Sequence, residues 1–218
     1  MKAKYLTFIG TIAAGKGTQA EILAHKYGLV HLSTGSILRS EVASGSDIGL
    51  KVQNIMSNGF LVPDELMNEI VASTLSRVDL LCGFILDGYP RSVAQAEKLD
   101  EILASLRIQL DKAVKFDITE EEAVHRIAHR FSCADCGHIY HDISNKTRVA
   151  GVCDKCRGTN FRRRADDRPE VLKIRIDEYK KEIEPILAYY KKQNKLVEID
   201  ATGRTIEDIS DEVIEKLS

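Results

Sequence analysis

The chain has no excess of either charge: 31 lysines and arginines face 33 aspartates and glutamates across 218 residues. A net charge of -2 exerts no long-range pull toward nucleic acid or an anionic membrane. No apolar run is long enough to span a bilayer. Met1-Lys2-Ala3-Lys4 is mildly basic, but the apolar stretch behind it stops at Gly10 with no cleavage-like site. That segment is expected to be a first strand rather than a secretory leader. Internal repeats and low-complexity tracts are absent, and no spacing suggests a Ser-His or Cys-His nucleophile. The expected compartment is the cytoplasm or another reducing space, where five cysteines favour metal binding or free thiols over disulfides. The length suffices for one sizeable core with insertions.

What is present begins with Gly10-Thr11-Ile12-Ala13-Ala14-Gly15-Lys16-Gly17-Thr18. The apolar run Tyr5 to Ile9 before it reads as a buried strand, and Gln19 to Ala24 after it reads as a helix. Strand, glycine-bounded loop, Gly-Lys and helix together form a phosphate-binding loop. Backbone N–H groups ring a phosphate chain, and the helix turns its positive end toward it. Lys16 reaches the outer phosphates, and a hydroxyl can stand near their magnesium ion. The usual serine or threonine after the lysine is replaced by Gly17, with Thr18 next.

Strands and helices then alternate. Gly28 should end the first helix, Leu29 to Leu32 is a second strand, and Ser33 to Ser36 is a turn with helix-capping side chains. Two short helices split at Gly45-Ser46, and Asn58-Gly59 stops the second. A helix follows Pro63-Asp64, and Gly83 to Asp87 is an apolar strand ending in a carboxylate. A turn at Gly88 to Arg91, a helix from Ser92 to Leu106, a strand from Lys112 to Ile118 and a helix from Glu120 to His129 come next. The alternation breaks over residues 130–163, then resumes with a helix from Pro169, a strand Leu196 to Asp200 and a helix Ile206 to Leu217. This is the grammar of an α/β domain with a parallel sheet and an insertion.

The insertion carries Cys133-Ala134-Asp135-Cys136 and Cys153-Asp154-Lys155-Cys156, with sixteen residues between the pairs. That spacing fits a four-cysteine zinc site, closed to water and therefore structural. Gly137 and Gly158 are expected to relieve the backbone after each knuckle. Two disulfides or a redox pair are the competing reading. Arg162-Arg163-Arg164 invites a nucleic-acid-binding ribbon, but Asp166-Asp167 follows and makes a charge-balanced hinge an equal reading. Cys82, beside an apolar strand, is expected to be a buried small residue.

These stretches resemble the adenylate kinases, in the long form with a zinc-binding lid. Gly10 to Ala20, Leu32 to Gly35, Leu61 to Asp64, Gly83 to Arg91 with Gln95, and the cysteine segment with Tyr140-His141 run in the family's order. The resemblance implies an α/β P-loop kinase core with a parallel sheet, a helical AMP-binding insertion and a small zinc-ribbon-like lid. The core would hold residues 1–32, 63–128 and 167–218, the acceptor insertion 33–62 and the lid 129–166. It implies reversible phosphoryl transfer from MgATP to AMP, giving two ADP, by a monomer with no nucleic-acid or membrane partner. Gly10, Ala13, Ala14, Gly15, Lys16, Gly17 and Thr18 would bind ATP phosphates, with Arg126, Ile139, Tyr140 and Gly203 about the base. Thr34, Gly35, Arg39, Phe60, Leu61, Val62, Gly88, Arg91 and Gln95 would bind AMP, Gln95 reading its adenine edge. Arg130, Arg164 and Arg175 would close over the phosphates, Arg164 and Arg175 also reaching AMP, while Asp87 holds Mg2+ through water. Cys133, Cys136, Cys153 and Cys156 would hold Zn2+.

Ile12 and Ala13 depart from the family's Pro-Gly, and Ser36 stands where an aspartate is usual. A positive φ at Ala13 would cost about 1–2 kcal/mol. Three alternatives follow: a nucleotide-binding relative with weak or no kinase activity, a kinase for UMP or CMP, and a zinc-ribbon nucleic-acid binder. The full set of Lys16, Asp87 and six arginines favours an active enzyme, because phosphoryl transfer needs two polyanions held in line with their charge neutralised.

Overall fold

The computed structural model describes residues 4–218, so Met1 to Ala3 of the expected first segment lie outside the described residues. The central strand β1, Tyr5–Gly10, keeps Leu6, Thr7 and Phe8 fully buried, as a parallel strand covered on both faces requires. It pairs with β3, Phe84–Asp87, on one side and β4, Lys112–Asp117, on the other. The sheet is completed by β2, Val30–Ser33, and β8, Leu196–Asp200, in the order β2-β3-β1-β4-β8, all parallel.

Register brings the chemistry to one edge. Phe8 lies opposite Asp87, and Asp87 opposite Ser33, so three strands discharge their loops together at their carboxyl ends. The chain crosses from β3 to β4 on opposite sides of β1, which opens a crevice there. Gly10, at the end of β1, has φ +139, and a Cβ would stand 1.9 Å from the carbonyl oxygen of Phe116. No other residue could bring the loop this close to β4.

Helices cover both faces. Helix α1, Lys16–Tyr27, packs with α8, Ile206–Lys216, on one face. On the other, α5, Val93–Ser105, packs against α4, Asp64–Leu75, and the long α7, Pro169–Lys192. Helix α1 starts at Lys16, ahead of the Gln19 expected from its apolar pattern, because Gly15 supplies the left-handed turn at φ +87 that opens it. Gly28 ends it as expected, at φ +69.

Two groups stand apart from the sheet. Helices α2, Thr34–Ser44, and α3, Asp47–Ser57, pack on each other, divided at Gly45-Ser46 as expected. Ser46 caps α3 by accepting from Gly49 N at 3.0 Å. The Ser33 to Ser36 turn is already helix from Thr34, and Ser33 makes no capping bond with its side chain. Between α6, Glu120–Ala128, and α7 lies a small antiparallel sheet of β5, Arg130–Cys133, β6, Ile139–His141, and β7, Phe161–Arg162. Cys82 is exposed rather than buried: it lies in the turn before β3, ahead of the Gly83 bend. Among the described residues, no helix is long and apolar enough to cross a membrane.

Candidate functional site: a phosphate loop facing an arginine cluster

The loop between β1 and α1 offers a ring of amides around the start of α1. Lys16 Nζ donates to the carbonyls of Gly10 at 2.8 Å and Thr11 at 2.7 Å, holding the loop in its open-ring shape. Burial lowers its ammonium to about 8; Asp87 opposes the shift, and Arg91, Arg175 and Arg130 add to it. Gly17 lies against Asp87: a Cβ there would stand 3.2 Å from Asp87 Oδ2, a tight contact to which the carboxylate would have to yield by a few tenths of an ångström. Burial pushes the Asp87 carboxyl up, but the His31 ring, Lys16 and Arg91 more than reverse this and hold it below the usual range. His31 Nε2 lies 3.6 Å from Asp87 Oδ2.

Ala13 has φ +63, the left-handed conformation that a glycine would adopt freely. Its neighbour Ile12 is accounted for by packing, since both residues lean on Ile127, Leu172 and Ile176 from α6 and α7. Ala13→Gly should relieve about 1–2 kcal/mol of backbone strain. It also gives up a methyl contact of about 0.8 kcal/mol. A small net rise in thermal midpoint is expected, with turnover within about tenfold of the parent, or 1.4 kcal/mol. Calorimetry and steady-state rates check both, and a gain of several hundredfold in rate would contradict the second.

Five arginines converge opposite this loop. Arg39, Arg91, Arg130, Arg164 and Arg175 line one cleft with Lys16, Asp87 and the loop glycines, with a volume of about 1400 Å³. Burial, with repulsion among the arginines, lowers Arg91 to about 10 and Arg164 to about 9, which leaves both charged at neutral pH. The two aspartates after Arg164 balance arginines from elsewhere in the chain rather than the run that precedes them. Asp167 takes a paired contact from Arg130, with Nε to Oδ2 at 3.0 Å. Asp166 accepts from Arg175 Nη1 at 2.7 Å through its carboxylate and at 3.0 Å through its carbonyl. The preceding arginines are not one basic patch: Arg162 is exposed, and Arg163 donates to Ala128 O, Arg130 O and Asp142.

At one end of the cleft, Arg126 Nη1 donates to Ala13 O at 3.2 Å and Nη2 to Ala201 O at 2.9 Å. Glu122 joins Arg126 to the Gly203 amide, whose N–H reaches Glu122 Oε2 at 2.9 Å. Ile139 and Tyr140 line the cleft too, as do Gly35, Leu61 and Gly88. Arg91 Nε donates to Gly88 O at 2.8 Å, and Thr34 Oγ1 to Asp87 O at 3.1 Å. Ser36 caps nothing; its hydroxyl accepts from Arg39 Nη2 at 3.4 Å.

Five of the expected residues stand back from the cleft lining. Ala14 and Val62 are packed in the core, Thr34 ties α2 to the 87–88 turn, and Phe60 is 54% exposed. Gln95 is 1% exposed, and both ends of its amide are bonded. Its Oε1 accepts from Arg91 N at 2.8 Å, and its Nε2 donates to Asp64 Oδ1 at 2.6 Å. Asp64, Glu122, Asp166 and Asp167 were not expected among the site residues. The one available signal was Asp166-Asp167 following three arginines.

The four cysteines come together as their spacing predicts, their sulfurs all within 4.8 Å. Cys133 and Cys156 lie 3.6 Å apart and Cys136 and Cys153 3.5 Å. Sulfurs about 2.3 Å from a tetrahedral ion stand about 3.8 Å from one another, whereas a disulfide needs about 2.0 Å. The donor set thus fits a structural zinc ion. Each knuckle closes alike, with Gly137 N bonded to Cys133 O at 3.0 Å and Arg157 N to Cys153 O at 2.9 Å. In the second knuckle the left-handed residue is Arg157, at φ +66, and not Gly158. Gly158 is small for another reason: a Cβ would meet Asp135 Oδ2 at 2.0 Å. The module leans on α1, where Lys155 reaches Glu21 at 2.7 Å.

A parallel sheet with this loop, and a lysine, a carboxylate and a cluster of arginines lining one cleft with it, define a P-loop nucleotide kinase. Comparison with known proteins narrows this. Residues 8–195 match the family model described as adenylate kinase. The chain is 40% identical over 213 residues to an adenylate kinase of Acetivibrio thermocellus, covering 98% of this chain and 97% of the relative. It is 46% identical over 195 residues to one from Thermosipho africanus, covering 89% and 91%, and 42% identical over 208 residues to one from Archaeoglobus fulgidus, covering 95% of each. The chain belongs to the adenylate kinase family, and its clustered cysteines fit the lid of the long form.

Proposed function

We propose that the protein moves the terminal phosphoryl group of MgATP reversibly to AMP, giving two ADP. The observation that carries this is the convergence of Lys16, Asp87 and five arginines on one cleft, between the phosphate loop and the 88–91 turn. ATP lies along the loop from Gly10 to Thr18, with its base toward Arg126, Ile139, Tyr140 and Gly203. AMP lies toward Gly35, Leu61 and Gly88, with Arg39 and Arg91 on its phosphate and the Gln95 region at its base. Lys16, Arg130, Arg164 and Arg175 neutralise the group in flight, and Asp87 holds magnesium through water. When bound, magnesium screens the phosphate oxygens against one another. No protein nucleophile is needed, because positioned charge supplies the catalysis.

Residues 33–62 form the acceptor-side insertion and residues 129–166 the lid, each closing on the remaining core. Closure excludes water, the competing acceptor, and completes the arginine cage. Zinc on the four cysteines keeps the lid a rigid plate. The protein acts as a cytoplasmic monomer in adenine nucleotide balance.

The test is a panel of acceptors. MgATP with AMP, UMP, CMP or GMP is supplied to zinc-loaded protein, and ADP is followed. Fast turnover is expected with AMP alone. Equal turnover with a pyrimidine would keep the chemistry and change the acceptor. No turnover with any acceptor, in protein that still binds ATP, would establish the non-catalytic relative instead.

A further inference from the structure

Gln95 is held as a hydrogen-bonding device with a single sense. A glutamine amide can normally turn over by half a rotation, exchanging its donor and acceptor ends at little cost. Here neither end is free to exchange. The Oε1 end faces the backbone N–H of Arg91 at 2.8 Å, a group that only donates. The Nε2 end faces the Asp64 carboxylate at 2.6 Å, a group that only accepts when ionised. Turning the amide over would set oxygen against a carboxylate and N–H against N–H. Asp64 is itself fixed, since its second oxygen accepts from Ser92 Oγ at 2.6 Å. The surround is equally closed: Tyr89 Oη lies 2.6 Å from Asn68 Oδ1 and 3.1 Å from the Gln95 carbonyl, and Gln95 is 1% exposed.

We infer that Asp64 is a positioning residue that locks the amide sense of Gln95 and thereby sets which purine the acceptor site takes. The inference rests on the proposal that AMP binds with its base toward Gln95. With the sense locked, Gln95 retains one N–H and one oxygen lone pair in a fixed order. Adenine offers a donor at its exocyclic amine beside a ring acceptor. Guanine offers the same two positions reversed, an acceptor oxygen beside a ring donor. A freely turning amide serves both bases, whereas a locked one serves the base whose order matches and opposes the other with two like groups. Discrimination of this kind is strong because the rejected base leaves buried polar groups unpaired. Asp64 touches no substrate in this scheme; it acts through Gln95.

The experiment compares the parent with Asp64→Leu and Asp64→Asn, using AMP and GMP as acceptors with saturating MgATP. Leucine removes the acceptor. Asparagine is the isosteric neutral variant and can present either an oxygen or an amine to Gln95, so only the Arg91 N–H then holds the sense. The expected result is a fall of about tenfold or more in the AMP-over-GMP ratio of kcat/KM in both variants, from one lost charge-assisted bond. The change should lie in the acceptor KM, with KM for ATP unchanged. The side-chain 15N–1H signals of Gln95 give a readout independent of turnover: a single slowly exchanging pair in the parent becomes broadened or doubled in Asp64→Asn. The role is overturned if Asp64→Asn keeps the parent ratio, or if kcat falls alike for both acceptors with no change in acceptor KM. Should the parent itself show no preference for AMP, the reading beneath fails, and this appears in the parent alone before any variant is compared. If Asp64→Leu does not fold, through loss of a carboxylate at the start of α4, Asp64→Asn decides the matter.

Discussion

Lys16→Met lowers kcat by about 10²–10³-fold, the loss expected when one preorganised charge-stabilising donor is removed from a water-poor site. The lysine is half-buried, and its two present partners are carbonyls of its own loop. In the proposed site those bonds would hold the ring open around the phosphate, so that the ammonium would meet the transferring group without having to move into position. Methionine fills nearly the same volume and leaves Gly10 O and Thr11 O without their donor, but it also removes a half-buried cation. The two effects oppose each other, so overall stability should change far less than rate. Lys16→Arg should not rescue turnover, because a planar fork cannot occupy a point-charge position inside the loop. Rates at saturating substrates check this, with calorimetry as the control for folding. A kcat within tenfold of the parent would remove Lys16 from the chemistry.

Cys153→Ser has the second large effect, and it acts through the fold. The cysteine module has almost no apolar core: Cys133, Tyr140 and Cys153 are buried, with Phe131 and Phe161 packed beside them. With zinc on the four cysteines as proposed, such a module would draw its order from the metal, whose binding is worth roughly 10–16 kcal/mol in comparable small zinc folds. Cys153 is the hub, since Tyr140 Oη lies 3.3 Å from its sulfur and accepts from Asp154 N at 2.7 Å. The variant should contain less than one zinc per chain, be cut readily by protease between residues 137 and 160, and lose most of its turnover. Its parallel sheet should still unfold cooperatively. ATP hydrolysis relative to transfer should rise, because water is no longer shut out. A zinc-free variant with a protease-resistant lid and full rate would show that the cysteines do something else.

The parts of this molecule that were legible beforehand are those whose chemistry is local. Phosphate binding needs a tight loop after a strand and before a helix, so Gly10 to Thr18 carries its own explanation. A tetrahedral ion needs two close pairs of thiolates, so four cysteines at this spacing also explain themselves. The sign of φ at Ala13 was a local question and came out positive, with Ile12 repaid by contacts on α6 and α7.

What escaped was decided by facing. Asp64 and Gln95 are 31 residues apart in the chain and meet only because α4 and α5 start side by side. Asp166 and Asp167 read as balancing the three arginines before them, whereas their partners are Arg175 and Arg130. Gly158 suggested a conformational role, yet Arg157 takes the left-handed position, and the glycine makes room for Asp135. Cys82 has apolar neighbours in sequence, but a bend at Gly83 leaves it outside. In each case composition was right about the residue type and silent about its partner.

Asp166 and Asp167 have a consequence for the speed at which product leaves. Arg130 and Arg175 already hold carboxylates, so in the proposed site phosphate would not enter a bare positive cage. It would displace an internal anion that stays tethered within reach. As ADP loosened, the same carboxylates would recapture the arginines one contact at a time, and the nucleotide would never have to break every charge contact at once. A cage without them would hold its product longer for every gain in grip. The internal anions therefore trade residence time for grip, and in a reaction that runs in both directions the gain applies to each pair of nucleotides alike.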